Sequence, residues 1–216
     1  IQCIVKTDNK DAARTGAYKL ANEIGDEGQV ILVVHDSNSE TAKERVKSFE
    51  EEIKNNYPSV SIVETIYCDK LDDLKKKIAV EKDPNISEDL QKAAVEKMTD
   101  DEVMQHYLKK YPDLKGVFGT NESSTIFALE ALQKTELAGK VALVGFDIGE
   151  EQITAMKNGE IAGLVVQNPF GMGYASVVAA ARTILQSGNE AVVDTGYIWV
   201  TKDNLEDESI QNMLYK

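Results

Sequence analysis

Cysteine, histidine and basic residues are scarce in this chain, and it contains no long apolar run. Its 216 residues include 2 Cys and 2 His. Two cysteines are too few for a disulfide framework, and Cys3 and Cys68 fit no metal-ligand spacing, so no metal site is expected. No apolar stretch approaches the ~18 residues of a membrane span. No signal-peptide pattern opens the chain either. It begins at Ile1, mid-strand by pattern and without an initiator Met, so the expectation is that an upstream portion has been removed. Acids outnumber bases 37 to 24, a formal net charge of −13. That excess repels phosphate backbones and anionic lipid, so nucleic acid is not an expected partner. There is no internal repeat and no low-complexity stretch.

The same scarcity argues against an enzyme. His106 falls in a predicted surface helix, where a solvated role is expected. His35 ends a strand, but no Ser or Cys near it makes a recognisable triad. The glycines at 145 and 149, or at 171 and 173, do not form G-x-G-x-x-G after a strand, and there is no phosphate-binding loop. No cofactor and no catalytic residue are therefore expected. Asp147 would need companion acids and a lysine in fixed places to act as a phosphoacceptor, and the chain does not show them.

What the chain does contain is buried strands with polar ends. Val141-Ala142-Leu143-Val144-Gly145-Phe146-Asp147 is an uninterrupted apolar run closed by a glycine and an acid. A strand covered on both faces of a parallel sheet needs such a run. Residues 31–34 end in His35 and Asp36, residues 62–67 in Cys68 and Asp69, residues 117–118 in Thr120 and Asn121, and residues 164–166 in Gln167. Open α/β sheets bind ligands at these carboxyl ends.

The segments between these strands read as helices. Ala13, Ala17, Leu20, Ala21 and Ile24 recur at helical spacing, as do Ala42, Val46, Phe49 and Ile53, with Ser37 and Glu40 at capping-box spacing. Strand and helix alternate, the mark of crossover units in a doubly wound, Rossmann-like parallel sheet. Residues 69–111 are longer than one crossover needs, and the charged helix over 86–98 reads as a solvated insertion. Further helices are expected over 123–133, 171–185 and 206–215, with a strand over 197–200.

Asp, Asn, Gln and Arg at such edges supply planar paired donors and acceptors, suited to a neutral polyhydroxylated ligand. A carboxylate accepts two hydroxyls, a guanidinium donates to two oxygens, and an amide does both. Arg45 falls one turn into the helix after the first lobe strand. If it turns toward a cleft at the rim, its loss should change affinity and leave stability alone.

Five stretches in order resemble one family: Thr7-Asp8-Asn9; Ser39-Glu40-Thr41-Ala42-Lys43-Glu44-Arg45; Pro112-Asp113-Leu114-Lys115-Gly116-Val117-Phe118-Gly119-Thr120-Asn121; Val144-Gly145-Phe146-Asp147; and Gln167-Asn168-Pro169. They resemble the type I periplasmic sugar-binding proteins, the ribose-, galactose- and xylose-binding group that shares its core with LacI-type repressors. The resemblance covers nearly the whole chain outside residues 80–100. It implies ligand contacts at Arg45, Asn121, Asp147 and Gln167, with Cys68 and Asp69 as weaker candidates at the next strand end. It also implies a hinge at Asp8, Asn9 and Asn168. Ribose-binding members carry an aromatic where Cys68 stands, so stacking on a sugar face would come from elsewhere.

The resemblance further implies that residues 10–167 with 195–202 form the C-terminal lobe. Residues 1–9 and 168–194 would belong to the hinge and to a mostly missing N-terminal lobe supplied in cis or in trans, and residues 203–216 to a tail helix. The implied function is capture of a sugar-like ligand between two lobes for an ABC transporter permease. The implied location is periplasmic or extracellular in a bacterium, with a lipid anchor before truncation as one option. The alternatives are a ligand-sensing domain working with a membrane sensor kinase, and the effector core of a LacI-type regulator.

Overall fold

The computed structural model describes residues 2–211. Its centre is β2 (Gly28–Val34), which is apolar throughout its interior because both faces are covered. Val30, Leu32 and Val34 point to one layer, packed with α1 (Asn9–Glu23) and α2 (Glu40–Asn56). Ile31 and Val33 point to the opposite layer, where α3 (Leu71–Lys82), α5 (Asp100–Lys110), α6 (Glu122–Lys134) and α7 (Glu150–Lys157) lie. Successive side chains on a strand alternate between faces, so one apolar run serves two cores.

The main sheet adds β3 (Val60–Tyr67), β4 (Leu114–Gly119), β5 (Ala142–Phe146), β6 (Gly163–Gln167) and β8 (Tyr197–Val200). Its order is β3-β2-β4-β5-β6-β8. The first five strands pair in parallel and β8 closes the edge antiparallel to β6. The chain steps outward from β2 to β3, then returns past β2 to β4. The direction of winding therefore reverses between β2 and β4, and the crevice at a switch point of this kind opens at the carboxyl ends. The doubly wound α/β expectation holds.

Two glycines let α6 approach that crevice. A Cβ on Gly119 or Gly145 would stand 2.4 and 2.2 Å from the Thr125 hydroxyl, so any larger residue would push the start of α6 off the sheet. Thr125 instead donates to the Asn121 carbonyl at 2.7 Å and accepts the Phe146 N–H at 3.4 Å.

Two local expectations are corrected. The cap of α2 is Ser39, which accepts from the Ala42 N–H at 3.2 Å, because Ser37 is drawn away by Asp69. His106 is not simply solvated: it lies on α5 with Nε2 3.1 Å from a Glu81 carboxylate oxygen, and Lys110 shares that acid. The expected tail helix is present as α9 (Glu208–Gln211) up to the last described residue, and residues 212–216 lie outside the described residues.

Among the described residues, α4 (Glu88–Lys97) buries no side chain, as its charged composition predicts. Deleting residues 83–97 and bridging the ends with a short glycine linker should leave cooperative melting with Tm within about 5 °C of the parent. Loss of cooperativity would place this helix in the core.

The remaining elements stand apart from the main sheet. β1 (Ile4–Lys6) pairs in parallel with β7 (Val192–Asp194), and α8 (Pro169–Ile184) packs beside them. The three chain crossings between this unit and the main sheet are bonded together. Asp8 N–H donates to the Asp194 carboxylate at 3.0 Å, Thr195 N–H to the Lys6 carbonyl at 3.0 Å, and Asn168 Nδ2 to the Thr195 carbonyl at 3.3 Å. α8 buries none of its residues, and Phe170, Tyr174, Val177 and Ile184 are 67–81% exposed. Covering each large side chain is worth about 1.5–3 kcal/mol, so such a patch favours association. Residues 1–216 in isolation should therefore show concentration-dependent association by light scattering, reduced by the pair Tyr174→Glu and Val177→Glu. A strictly monomeric parent across the accessible range would contradict this.

Candidate functional site

Four strand ends meet at the switch point. Arg45 reaches it from the first turns of α2, but not as a rim residue: it is 3% exposed. Its guanidinium carbon lies 3.9 Å from the centroid of the Phe146 ring. Phe146 is edge-on to Phe118, which stacks on Phe49 at 4.4 Å. Arg45 Nε–H donates to Asn9 Oδ1 at 3.0 Å and Nη1–H to the Thr120 carbonyl at 2.5 Å. Asn9 is oriented by its own donation to Glu44 at 3.3 Å. Among the described residues no hydrogen bond engages Nη2, which leaves a fixed donor. Burial lowers the Arg45 pKa to about 10 while Asp147 and Glu44 oppose that, so the group is charged at neutral pH.

Asp147 follows β5 in the left-handed region at φ 62°. Asp tolerates this better than most residues, but it costs of order 1 kcal/mol and persists where surroundings hold it. Its N–H donates to the Val165 carbonyl at 2.9 Å, and one carboxylate oxygen accepts Gln167 Nε2 at 2.7 Å. The acid and the amide are thus one unit across β5 and β6.

Asn121 sits at the end of β4 and caps α6. Its Oδ1 accepts the Ser124 N–H at 2.9 Å and the Ser123 hydroxyl at 3.1 Å, leaving the Nδ2 donor with no hydrogen bond among the described residues. Asp69 accepts from Ser37 N–H, the Ser37 hydroxyl and Asn38 Nδ2, so it pins the loop before α2. Cys68 is not brought into this group. It packs against the apolar layer beneath α3 and α5, where burial raises its thiol pKa to about 11.

The hinge candidates do local work as well. Asp8 caps α1 through the Lys10 and Asp11 N–H groups, and Asn168 caps α8 through the Gly171 N–H. The part Asn9 plays in holding Arg45 was not legible from its neighbours in sequence.

His35 and Thr120 stand between β2 and β4. His35 Nε2 is 3.4 Å from both Asp36 and Ser39 Oγ. Serine and carboxylate therefore approach the same ring nitrogen, whereas a nucleophile–base–orienter relay needs them on opposite ones. A cavity of about 560 Å³ lies at the other edge of the sheet, among Lys115, Lys140 and Ile161. Its lining sets Lys115, Lys140 and Lys202 among the acids Glu23 and Glu160, but it lies away from the carboxyl ends where open α/β sheets bind ligands, so the carboxyl edge is the better candidate.

Residues 2–189 match the profile of a family described as periplasmic binding protein domain. The chain belongs to that family. A carbohydrate transporter solute binding protein from Agrobacterium radiobacter, solved with D-arabinose, superposes with TM-score 0.80 at 27% identity, over 100% of this chain and 66% of that one. A solute binding protein of an ABC transporter from Agrobacterium vitis, solved with D-fucose, gives 0.79 at 26% identity, over 99% and 65%. The ribose import binding protein of Salmonella typhimurium is 37% identical over 84 residues, 38% of this chain and 27% of that protein. The chain thus has the fold of a type I periplasmic binding protein, and spans about two thirds of the solved relatives.

Two outcomes follow for this periplasmic binding protein lobe. Because Arg45 is buried, the expectation that its loss spares stability is revised: Arg45→Ala should cost about 2–4 kcal/mol in urea melts, from the lost ring contact and charged hydrogen bonds. Asp36, half-buried in the loop before α2, is held down from 3.8 to about 2 by the Ser39 N–H, the Ser39 hydroxyl and the Asn38 N–H. A depressed carboxylate contributes stability above its unfolded value and loses it as pH falls toward its folded one. Between about pH 4 and pH 2, Asp36→Asn should therefore flatten part of the acid dependence of melting, and an unchanged acid profile would contradict this.

Proposed function

We propose that this lobe captures a sugar or similar small neutral polyol against a second lobe, for delivery to the permease of an ABC transporter outside the cytoplasmic membrane. The observation that carries this reading is the set of unspent planar groups at one crevice: Arg45 Nη2, Asn121 Nδ2 and the Asp147 carboxylate held by Gln167. Vicinal hydroxyls both donate and accept, and a carboxylate next to a guanidinium meets both needs. Each group is fixed before ligand arrives, so little ordering cost falls on binding. Asp69 would support the crevice through the Ser37–Asn38 loop, and Cys68 would take no part.

In this reading the crossings at Asp8, Asn9 and Asn168 are the hinge, and closure buries the ligand between lobes. Chain beyond residues 1–216, in cis or in trans, would supply the facing lobe and cover α8. The protein would bind and release its ligand unchanged. The relatives solved with D-arabinose and D-fucose and the ribose import protein make pentoses and deoxyhexoses the first ligands to test.

A thermal-shift screen of monosaccharides on the intact two-lobed protein tests this. At least one sugar should raise Tm, and calorimetry should show Asp147→Ala and Gln167→Ala each losing about 1.5–3 kcal/mol of binding. Wild-type affinity in Asp147→Ala would remove that residue from the site.

A further inference from the structure

His35 takes no part in the proposed capture, yet it stands at the switch point with its backbone N–H and both ring nitrogens within reach of polar partners. Its backbone N–H lies 3.2 Å from Thr120 Oγ1, and its ring Nδ1 lies 2.9 Å from the same oxygen. The backbone N–H can only donate, so Thr120 Oγ1 accepts there. The oxygen could accept an Nδ1–H as well, but the Thr120 proton would then have no hydrogen-bond partner among the described residues, so that proton is assigned to Nδ1 as acceptor. Nδ1 is then an acceptor, and the ring proton sits on Nε2, toward Asp36 and Ser39. The main-chain carbonyl of this same Thr120 accepts Arg45 Nη1–H. One fully buried residue is thus held by an imidazole through its side chain and holds a guanidinium through its backbone.

We infer that His35 is a positioning residue for Arg45: its neutral ring, accepting the Thr120 hydroxyl proton, fixes the carbonyl that aims the guanidinium, and protonation of His35 undoes this. A proton added at Nδ1 converts the acceptor to a donor. Thr120 Oγ1 would then accept twice, and its own proton must turn away into a buried setting that offers it no partner. The added charge also stands beside Arg45.

The groups facing His35 come from four places: Asp36 beside it, Arg45 on α2, Asp69 after β3 and Asp147 after β5. Burial lowers the His35 pKa below 6.5 and Arg45 adds to this, while the three carboxylates oppose it. The neutral ring is therefore the form present at and above neutral pH, and Arg45 loses its alignment as pH falls through the lowered value. The consequence for ligand rests on the proposed sugar capture, and the coupling between His35 and Arg45 does not.

The test follows the Arg45 Nε–H and His35 Cε1–H resonances of the intact, ligand-free protein from about pH 7.5 to about pH 4.5, with His106→Gln used to assign the second histidine. The Arg45 signal should move with the midpoint of His35. In His35→Asn the amide oxygen can accept from Thr120 in place of Nδ1, so the Arg45 signal should keep its high-pH position and stop titrating. In His35→Leu it should be displaced at every pH. An Arg45 signal that ignores the titration of His35 would overturn the inference, as would an unshifted signal in His35→Leu.

A second arm measures D-arabinose binding by calorimetry, where affinity should fall about fivefold over the same range and remain flat in His35→Asn. Failure of D-arabinose to bind at any pH counts against it as ligand, and the resonance arm still decides the coupling. Measurable binding with the same acid dependence in His35→Asn as in the parent would overturn the link to capture.

Discussion

The arrangement depends on one buried positive charge. A guanidinium taken out of water must find compensation on all sides, and Arg45 finds it in a ring face below, two oxygens at its edges and the carboxylates of Asp147 and Glu44 nearby. Those partners come from α1, α2, β4 and β5. The charge therefore specifies how these elements meet, because any other register would strand it. The aromatic series Phe49, Phe118 and Phe146 extends that requirement through the apolar layer. Gly16 belongs to the same constraint, since a Cβ there would stand 2.4 Å from the Phe118 ring and push α1 away.

Around this anchor the site divides between groups committed to the fold and groups left over. Asn121 commits its oxygen to α6 and keeps its amide protons. Asp147 commits one oxygen to Gln167, and Arg45 commits Nε and Nη1. Each side chain thus has its direction set by one half and its chemistry left in the other, as preorganised binding requires. The left-handed backbone at Asp147 fits this pattern, because the bonds to Val165 and Gln167 on β6 hold a conformation that the residue alone would rarely adopt.

Much of this was legible in sequence, because the signals were local. Continuous apolar runs ending in Asp, Asn or Gln announced both the parallel sheet and the edge on which polar groups would gather. The misreadings came from contacts between residues far apart in the chain. Arg45 looked like a rim residue because nothing near it in sequence shows the Phe146 ring or the Thr120 carbonyl. Asn9 looked like a hinge element alone because its acceptor role is defined by a helix 36 residues away. Ser37 had the spacing of a cap, but Asp69 drew it off and Ser39 took its place. Cys68 stood at the right strand end, yet the chain enters a short turn there and its thiol faces the apolar layer.

The crossings and the crevice are not independent. Thr7 and Asp8 bring the chain into the lobe, and the next residue, Asn9, holds Arg45. Gln167 is the last residue of β6 before Asn168 carries the chain out, and it holds Asp147. Asp194 ties the third crossing to the first through the Asp8 N–H, and Asn168 ties the second to the third, so the three crossings form one bonded set. On the proposed reading, a change in angle between lobes acts through one peptide bond on the residue holding the arginine and through one on the residue holding the acid. Closure and alignment would then be the same motion, and a ligand that satisfies Arg45 and Asp147 together would favour the closed form by satisfying the groups beside the hinge.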